Sequence, residues 1–290
     1  MSTAAEGLDS AGGYPWAAFA ANLGWSAAAA LAVMLATFAV ASARDRYRYV
    51  DAAWGLAFAA VAAASCAASA GHGDPVRRAL LTAATAVWGL RLAVHIARRG
   101  WGRGEDARYE KMLARARGGR KWYALRKVFL LQAALVWLIS LPVQAGQYAG
   151  GSAGALAAAG AAVWAAGTAC EAVGDRQLAR FTADPAHRGR LMDRGLWSWT
   201  RHPNYFGDFL VWWGLYLMAC GAWQSAAVAA PAPLLMSYLL IFGSGKRLLE
   251  RHMAERPGYR AYAERTSGFV PLPPSWYARL RGRRAGHAGG

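Results

Sequence analysis

The 290-residue sequence is short of charge, of acidic groups and of cysteine. Only 17% of its residues are charged, and 33 Lys and Arg stand against 16 Asp and Glu, a formal net charge of +17. With 56% hydrophobic residues and 14 Trp, this lies outside the usual mix of a soluble globular chain. The three cysteines, Cys66, Cys170 and Cys220, fall within apolar runs and show no C-x-x-C spacing. They read as small buried hydrophobes, and disulfide or thiolate-metal chemistry has little support. The six His lie apart without metal-ligand spacing, so no metal is expected. No G-x-G-x-x-G follows a strand pattern, and no G-x-S-x-G elbow occurs. Gly243-Ser-Gly245-Lys246 resembles a phosphate loop only superficially, because Arg247 stands where Ser or Thr is required and the upstream glycine is missing. The first 43 residues carry no Lys or Arg, which argues against a cleaved signal peptide with its charged leader.

What the sequence does have is long apolar runs. Uncharged stretches cover Trp16–Ala43, Ala52–Gly71, Val128–Cys170 and Phe209–Gly245, and Ala79–Ala97 is broken only by Arg91 and His95. Crossing a bilayer takes roughly 20 apolar residues. Turns at Gln147-Tyr-Ala-Gly-Gly-Ser and Cys220-Gly-Ala-Trp-Gln-Ser divide the two longest runs. The expectation is an all-α, polytopic bundle of about seven transmembrane helices, near 20–42, 52–70, 79–97, 128–146, 154–172, 207–220 and 226–244. The sixth is the shortest. Ala and Gly crowd spans one, two and five, which permits close helix approach in lipid.

The basic residues punctuate these runs instead of forming one face, so nucleic acid is not the expected partner. Of the 33, all but Arg77, Arg78 and Arg91 fall at 44–48, 98–127, 176–201 and from Lys246 onward. Short loops rich in Lys and Arg stay cytoplasmic, which places the N-terminus outside and the C-terminus inside. Residues 16–275 read as a single domain, between an outer tail 1–15 and a basic, disordered tail 276–290.

Three features have the residue types for chemistry. Gly195-Leu-Trp-Ser-Trp-Thr-Arg201-His202-Pro-Asn204-Tyr205-Phe-Gly207-Asp208 packs charge, donors and acceptors beside a membrane entry. Such polar density is costly there unless it is used. Glu171 and Asp175, four apart, share a helix face; they orient arginines or a substrate hydroxyl, or they form a salt-bridge ladder with Arg176 and Arg180. Arg91, His95 and Arg99 repeat every four residues along span three, where an ionisable group is a functional candidate and also a candidate for structural pairing or snorkelling.

At Arg201-His-Pro-Asn-Tyr-Phe-Gly-Asp208 the sequence resembles the membrane steroid 5α-reductase superfamily, in its bacterial DUF1295-type branch. The likeness includes Asp51-Ala-Ala-Trp54-Gly, Leu90-Arg-Leu with His95 and Arg99, Glu105-Asp106-x-Arg108-Tyr109 and Gln132. It continues through Asp175-x-Gln-Leu, Gly195-Leu-Trp, Trp212-Trp213-Gly, Gly258-Tyr259-x-x-Tyr262 and Thr266-Ser-Gly-Phe-Val-Pro271. The resemblance implies a seven-helix reductase that binds NADPH in a cytoplasmic cavity and passes hydride to the β-carbon of an enone in a lipophilic substrate drawn from the surrounding membrane lipids. Asn204, Tyr205 and Asp208 would contact the cofactor. Arg99, Glu171, Asp175, Arg180 and Arg190 would surround its phosphates and ribose, with Trp212 nearby and Arg201 and His202 taking part. Hydride addition leaves an enolate whose oxygen needs a donor, and the catalytic candidates are Asp51, Tyr109 and His95. The steroid enzymes place a Gln-Glu pair in the second span and a tyrosine directly after the third-span His; this chain has no Glu in that span and has Ile96 after His95. The cofactor half of the pattern therefore carries over better than the substrate half.

Two other classes remain. Isoprenylcysteine-type methyltransferases, which use S-adenosylmethionine, share Arg-His-Pro-x-Tyr-x-Gly and the C-terminal Tyr-x-x-Tyr…Pro pattern. They carry a Glu pair in the tail helix where this chain has Leu248-Leu249-Glu250-Arg251. A non-enzymatic membrane scaffold binds no nucleotide at all.

Overall fold

The computed structural model describes residues 13–116, 118–243 and 245–279. Of the two expected tails, 1–12 and 280–290 lie outside the described residues. Helix makes up 76%, and the described residues contain no strand, only an isolated bridge between Thr200 and Ser267. In order, the helices are α1 Trp16–Arg44, α2 Tyr49–Ala68, α3 Pro75–Gly100, α4 Ala107–Ala114, α5 Arg120–Ile139, α6 Leu141–Gly146, α7 Ala155–Ala183, α8 Leu196–Trp199, α9 Pro203–Ala219, α10 Trp223–Ala229, α11 Pro231–Ile241, α12 Lys246–Met253 and α13 Tyr259–Arg265.

Among the described residues, six segments are long and apolar enough to cross a membrane: α1, α2, α3, α5, α7 and the run Trp223–Met253. Their outer faces keep large apolar side chains such as Trp25, Leu35, Val87 and Val94 exposed, as lipid contact demands and water does not. The chain is an all-α, multi-pass integral membrane protein. The 17-residue α9 stands where the short sixth crossing was expected.

The fourth span differs from its expected bounds of 128–146. Pro142 lacks an N–H and its ring excludes the carbonyl one turn back, so it fits only the first turn of a new helix. Helix α5 accordingly starts earlier, inside the basic stretch, and stops at Ile139; α6 begins afresh with Pro142 in its first turn.

The residues separate into two compact units, one comprising the chain up to Ala161 with Leu215–Ala232, the other Ala162–Gly214 with the chain from Pro233. In unit one, α2 and α3 pack antiparallel with their backbones in contact. A Cβ on Gly55 would lie 2.1 Å from the Gly89 carbonyl oxygen and 2.9 Å from the Ala93 nitrogen, an approach open only to glycine. Residues 142–146 of α6 are all buried. Their polar member is satisfied internally: Ser26 Oγ donates to Gln144 Oε1 at 2.8 Å, and Gln144 Nε2 donates to the Trp137 carbonyl at 2.7 Å. Hydrocarbon offers no other partner.

In unit two, glycines again set the approach of two helices. A Cβ on Gly167 of α7 would lie 2.6 Å from the Gly207 carbonyl of α9, and Gly207 packs on Glu171 in return. The segment from Tyr259 to Leu272 is strapped to this pair, with Phe269 edge-on to Phe206 and Phe209 at ring-centroid distances of 5.9 and 5.7 Å.

Candidate active site

The unit-one cluster is built by a carboxylate that caps a helix. Glu105 Oε1 accepts the backbone N–H of Arg48 at 3.0 Å and of Asp106 at 2.8 Å, and Oε2 accepts that of Tyr47. These amides at the start of α2 have no partner within the helix, and a carboxylate there also meets the positive end of its dipole. Arg48 Nη1 donates to the Gly104 carbonyl at 2.8 Å, and Arg46 donates to that of Arg103. The loop before α4 is thus tied to the turn before α2. Asp106 then caps α4 by accepting the Arg108 N–H at 2.8 Å.

This arrangement delivers Tyr109 and Arg108 to Asp51. The Tyr109 hydroxyl donates to Asp51 Oδ1 at 2.5 Å, and Arg108 Nη2 donates to Asp51 Oδ2 at 2.8 Å and to Asp106 Oδ2 at 3.0 Å. Burial, and then the Asp51 charge, push the Tyr109 phenol well above its usual range, so it stays a protonated donor. The Arg108 hydrogen bond holds Asp106 below the usual carboxylate range. One turn into α2, Trp54 Nε1 donates to Gln132 on α5. Because Gly55 meets α3 between Gly89 and Ala93, one turn back to Asp51 corresponds to the level of His95 on the antiparallel helix. His95 is half-buried, and Arg99, a turn further, is exposed. Of the catalytic candidates, Asp51 and Tyr109 are in direct contact, and His95 shares their level.

Unit two gathers the motif residues around α7. Glu171 and Asp175 are both buried, and the line Gly167, Glu171, Gly174 faces the start of α9. A Cβ on Gly174 would meet Pro203 at 3.2 Å and the Asn204 nitrogen at 3.7 Å. Asp175-x-Gln177 and Gly195-Leu-Trp197 are one contact: Leu196 N–H donates to Gln177 Oε1 at 3.0 Å and Trp197 Nε1 to the Gly174 carbonyl at 3.0 Å. Gly195 has φ +58°, and a Cβ there would strike the Gln177 amide, which fixes glycine at that position. Glu171 thus lies against Gly207, and Asp175 follows directly on the Gly174 that packs on Pro203 and Asn204. Trp212, two turns into α9, is fully buried.

Arg201 is spent on the protein itself. Its Nε and Nη2 hold Glu250 Oε1 at 2.9 and 2.8 Å, Nη1 donates to the carbonyls of Ala263 and Thr266 at 2.9 and 2.7 Å, and its backbone N–H donates to Ser267 at 2.9 Å. Together with Thr200 Oγ1 to the Phe269 carbonyl at 2.8 Å and the Tyr262 hydroxyl to the Trp197 carbonyl at 2.6 Å, these bonds strap the C-terminal segment onto the motif. His202 Nε2 lies 3.2 Å from the same Glu250 oxygen, its ring stacks on Tyr205 at 5.4 Å, and its Nδ1 is buried without a partner among the described residues. Burial pushes the imidazole below its usual range against the pull of Glu250, so the neutral ring donates from Nε2. Arg180 and Arg190 are exposed, and no ion pair among the described residues engages either. Phosphate recognition therefore suits Arg180 and Arg190, whose forks are available, better than Arg201.

Sequence reasoning missed two members of these clusters. Glu250 sits in a basic tail helix and its partners lie 48 and 49 residues earlier, so no local pattern marks it. Arg108 was visible in the Glu105-Asp106-x-Arg108-Tyr109 motif, but its bridge between two carboxylates was not. The described residues hold no group of three or more His, Cys, Asp or Glu placed to bind a metal ion.

No curated protein and no solved structure matches the chain. A family described as a protein of unknown function (DUF1295) matches residues 37–266, a stretch that contains every candidate from Asp51 to Trp212, and by that match the chain belongs to the DUF1295 family.

Proposed function

We propose that the protein is an NADPH-dependent oxidoreductase that saturates an activated carbon–carbon double bond, an enone, in a lipophilic, steroid-like or other lipid substrate. The observation that carries this reading is the Asp51–Tyr109 hydrogen bond of 2.5 Å with Arg108 on the other carboxylate oxygen, where an apolar span begins. When bound, NADPH supplies a hydride to the β-carbon. The electron pair of the double bond then moves onto the carbonyl oxygen, and the Tyr109 hydroxyl turns its one proton from Asp51 Oδ1 onto that oxygen. Arg108 stays on Asp51 Oδ2 and compensates the carboxylate once the Tyr109 proton has turned away from Oδ1. A proton taken up from water at the α-carbon completes the reduction, and the Tyr109 proton returns to its own oxygen as the carbonyl re-forms.

For the cofactor, Arg180 and Arg190 supply uncommitted guanidinium forks for phosphates, while Asn204, Tyr205 and Asp208 with Glu171 and Asp175 supply a mixed donor and acceptor set suited to ribose and amide groups. Arg201 and His202 shape this region by holding the C-terminal strap, and Arg99 and Trp212 complete the set. Counting α9 as a crossing gives seven, with the basic stretches on one side. That supports a bacterial inner-membrane protein with its N-terminus outside and its chemistry on the cytoplasmic side.

The test is ligand protection of the detergent-purified chain. A ligand at 100 Kd adds about 2.7 kcal/mol to stability, so NADPH raises the thermal midpoint, and Asn204→Ala or Asp208→Ala abolishes that rise while the protein still inserts. Protection by S-adenosylmethionine alone would reverse the assignment in favour of a methyltransferase, and protection by neither would leave a scaffold.

A further inference from the structure

At the other end of α2 from Asp51, unit one contains a cavity of about 660 Å³ whose wall includes Tyr14, His72, Tyr148, Gly150, Gly151 and Gln224. Among the described residues no charged side chain lines it, yet a buried cation stands directly behind it. Arg77 is 3% exposed. Its Nη1 donates to the carbonyls of Ala149, Gly150 and Gly151 at 3.0, 3.3 and 3.0 Å, and Nη2 to that of Ser152 at 3.2 Å. A Cβ on Gly221, which also lines the cavity, would lie 2.3 Å from the Arg77 Cζ. No carboxylate among the described residues pairs with this guanidinium, since Asp74 Oδ1 is taken by the Arg77 backbone N–H at 2.8 Å. Neutral carbonyls solvate a buried cation without cancelling its charge.

The same bonds orient the loop. In a trans peptide the C=O and N–H point opposite ways, and no peptide among the described residues is cis. Four successive carbonyls turned toward Arg77 therefore turn the N–H groups of Gly150, Gly151, Ser152 and Ala153 away from it. Gly150 and Gly151 are the two of these that line the cavity, and a run of amides on one side of a loop is an anion-binding concavity. A second, independent group points the same way. Tyr148 is 1% exposed and forms part of the wall, and its buried hydroxyl has no partner among the described residues. A buried donor left unpaired costs more than the same donor bonded to a ligand.

We propose that this cavity is an anion site for a phosphoryl group, held by the Tyr148 hydroxyl and the Gly150 and Gly151 amides with the Arg77 charge behind them. The group comes either from free phosphate or from an anionic lipid headgroup at the membrane surface. The site is separate from the proposed NADPH chemistry, and neither reading depends on the other.

Tyr148→Phe removes only the unpaired hydroxyl and leaves the ring packing against Tyr14, Phe19 and His72. The full chain is titrated in detergent with inorganic phosphate against a chloride control of equal ionic strength, and is compared in nanodiscs of phosphatidylglycerol and of phosphatidylcholine. The expected result is a saturable rise in thermal midpoint that Tyr148→Phe weakens about tenfold, the loss of one charge-assisted hydrogen bond. The unliganded midpoint and any NADPH protection stay unchanged. Gln224→Ala tests another wall of the cavity with the same readout. Discrimination by free phosphate assigns the soluble anion; discrimination only in phosphatidylglycerol assigns the lipid headgroup. If wild type and both variants respond alike in both arms, or nothing responds saturably, the proposal is overturned.

Discussion

The Tyr109 hydroxyl lies 2.5 Å from Asp51 Oδ1, across 58 residues of chain, because Glu105 caps α2 with one carboxylate and thereby positions the start of α4. For the proposed reduction this pair separates binding from chemistry. Tyr109→Phe is expected to lower enone-dependent NADPH oxidation by about 10²-fold or more with the NADPH thermal protection intact. Absorbance of the reduced nicotinamide and the thermal midpoint are measured side by side; equal activity of wild type and Tyr109→Phe would remove Tyr109 from the reaction.

The Arg201–Glu250 contact makes a structural prediction. Glu250→Gln leaves the Arg201 guanidinium, only 13% exposed, without its counter-charge. The partial exposure limits the loss to about 1–3 kcal/mol. The C-terminal strap should become susceptible to limited proteolysis between α12 and α13. Arg201→Lys should not restore it, since an ammonium lacks the fork that reaches Glu250 and two carbonyls together. An Arg201→Lys chain as resistant as wild type would count against the strap.

His202 predicts a pH dependence. Its folded pKa is depressed by burial, so between that value and the unfolded value of about 6.5 the unfolded chain binds more protons. Its contribution is present above the unfolded value and is lost as pH falls through the folded one. The wild-type thermal midpoint should therefore drop more steeply than that of His202→Gln between about pH 8 and about pH 5. Parallel curves would show that the ring is not held neutral.

Gly55→Ala places a methyl against the Gly89 carbonyl, and relief requires the two backbones to separate. Overpacking of this kind costs about 1–3 kcal/mol, read as a lower thermal midpoint and poorer recovery in detergent. Gly24→Ala, with nothing within 4 Å of the added carbon, is the control that should be neutral or better.

Much of the helical plan was legible because a charge-free run is a local property. Trp16–Arg44 and Pro75–Gly100 enclose the expected spans, extended by a turn or so at their ends. The run 128–146 was read straight through Pro142, although that residue fixes the break between α5 and α6. Long-range pairings left no such trace. Arg77 appeared as one of three exceptions to the basic pattern, and its meaning lies in carbonyls 72 to 75 residues later. Arg201 drew attention through its motif, but the motif does not say that every arm of its guanidinium is already engaged. Asp51 and Tyr109 were legible as partners because both belong to short motifs, and the hydroxyl of one is the natural donor to the other.

The backbone contact at Gly55 and Gly89 also fixes register. Where two helices touch main chain to main chain, no side-chain rotamer is there to absorb a shift, so the height of Asp51 against the level of His95 depends on the absence of a Cβ at two positions a turn or two away.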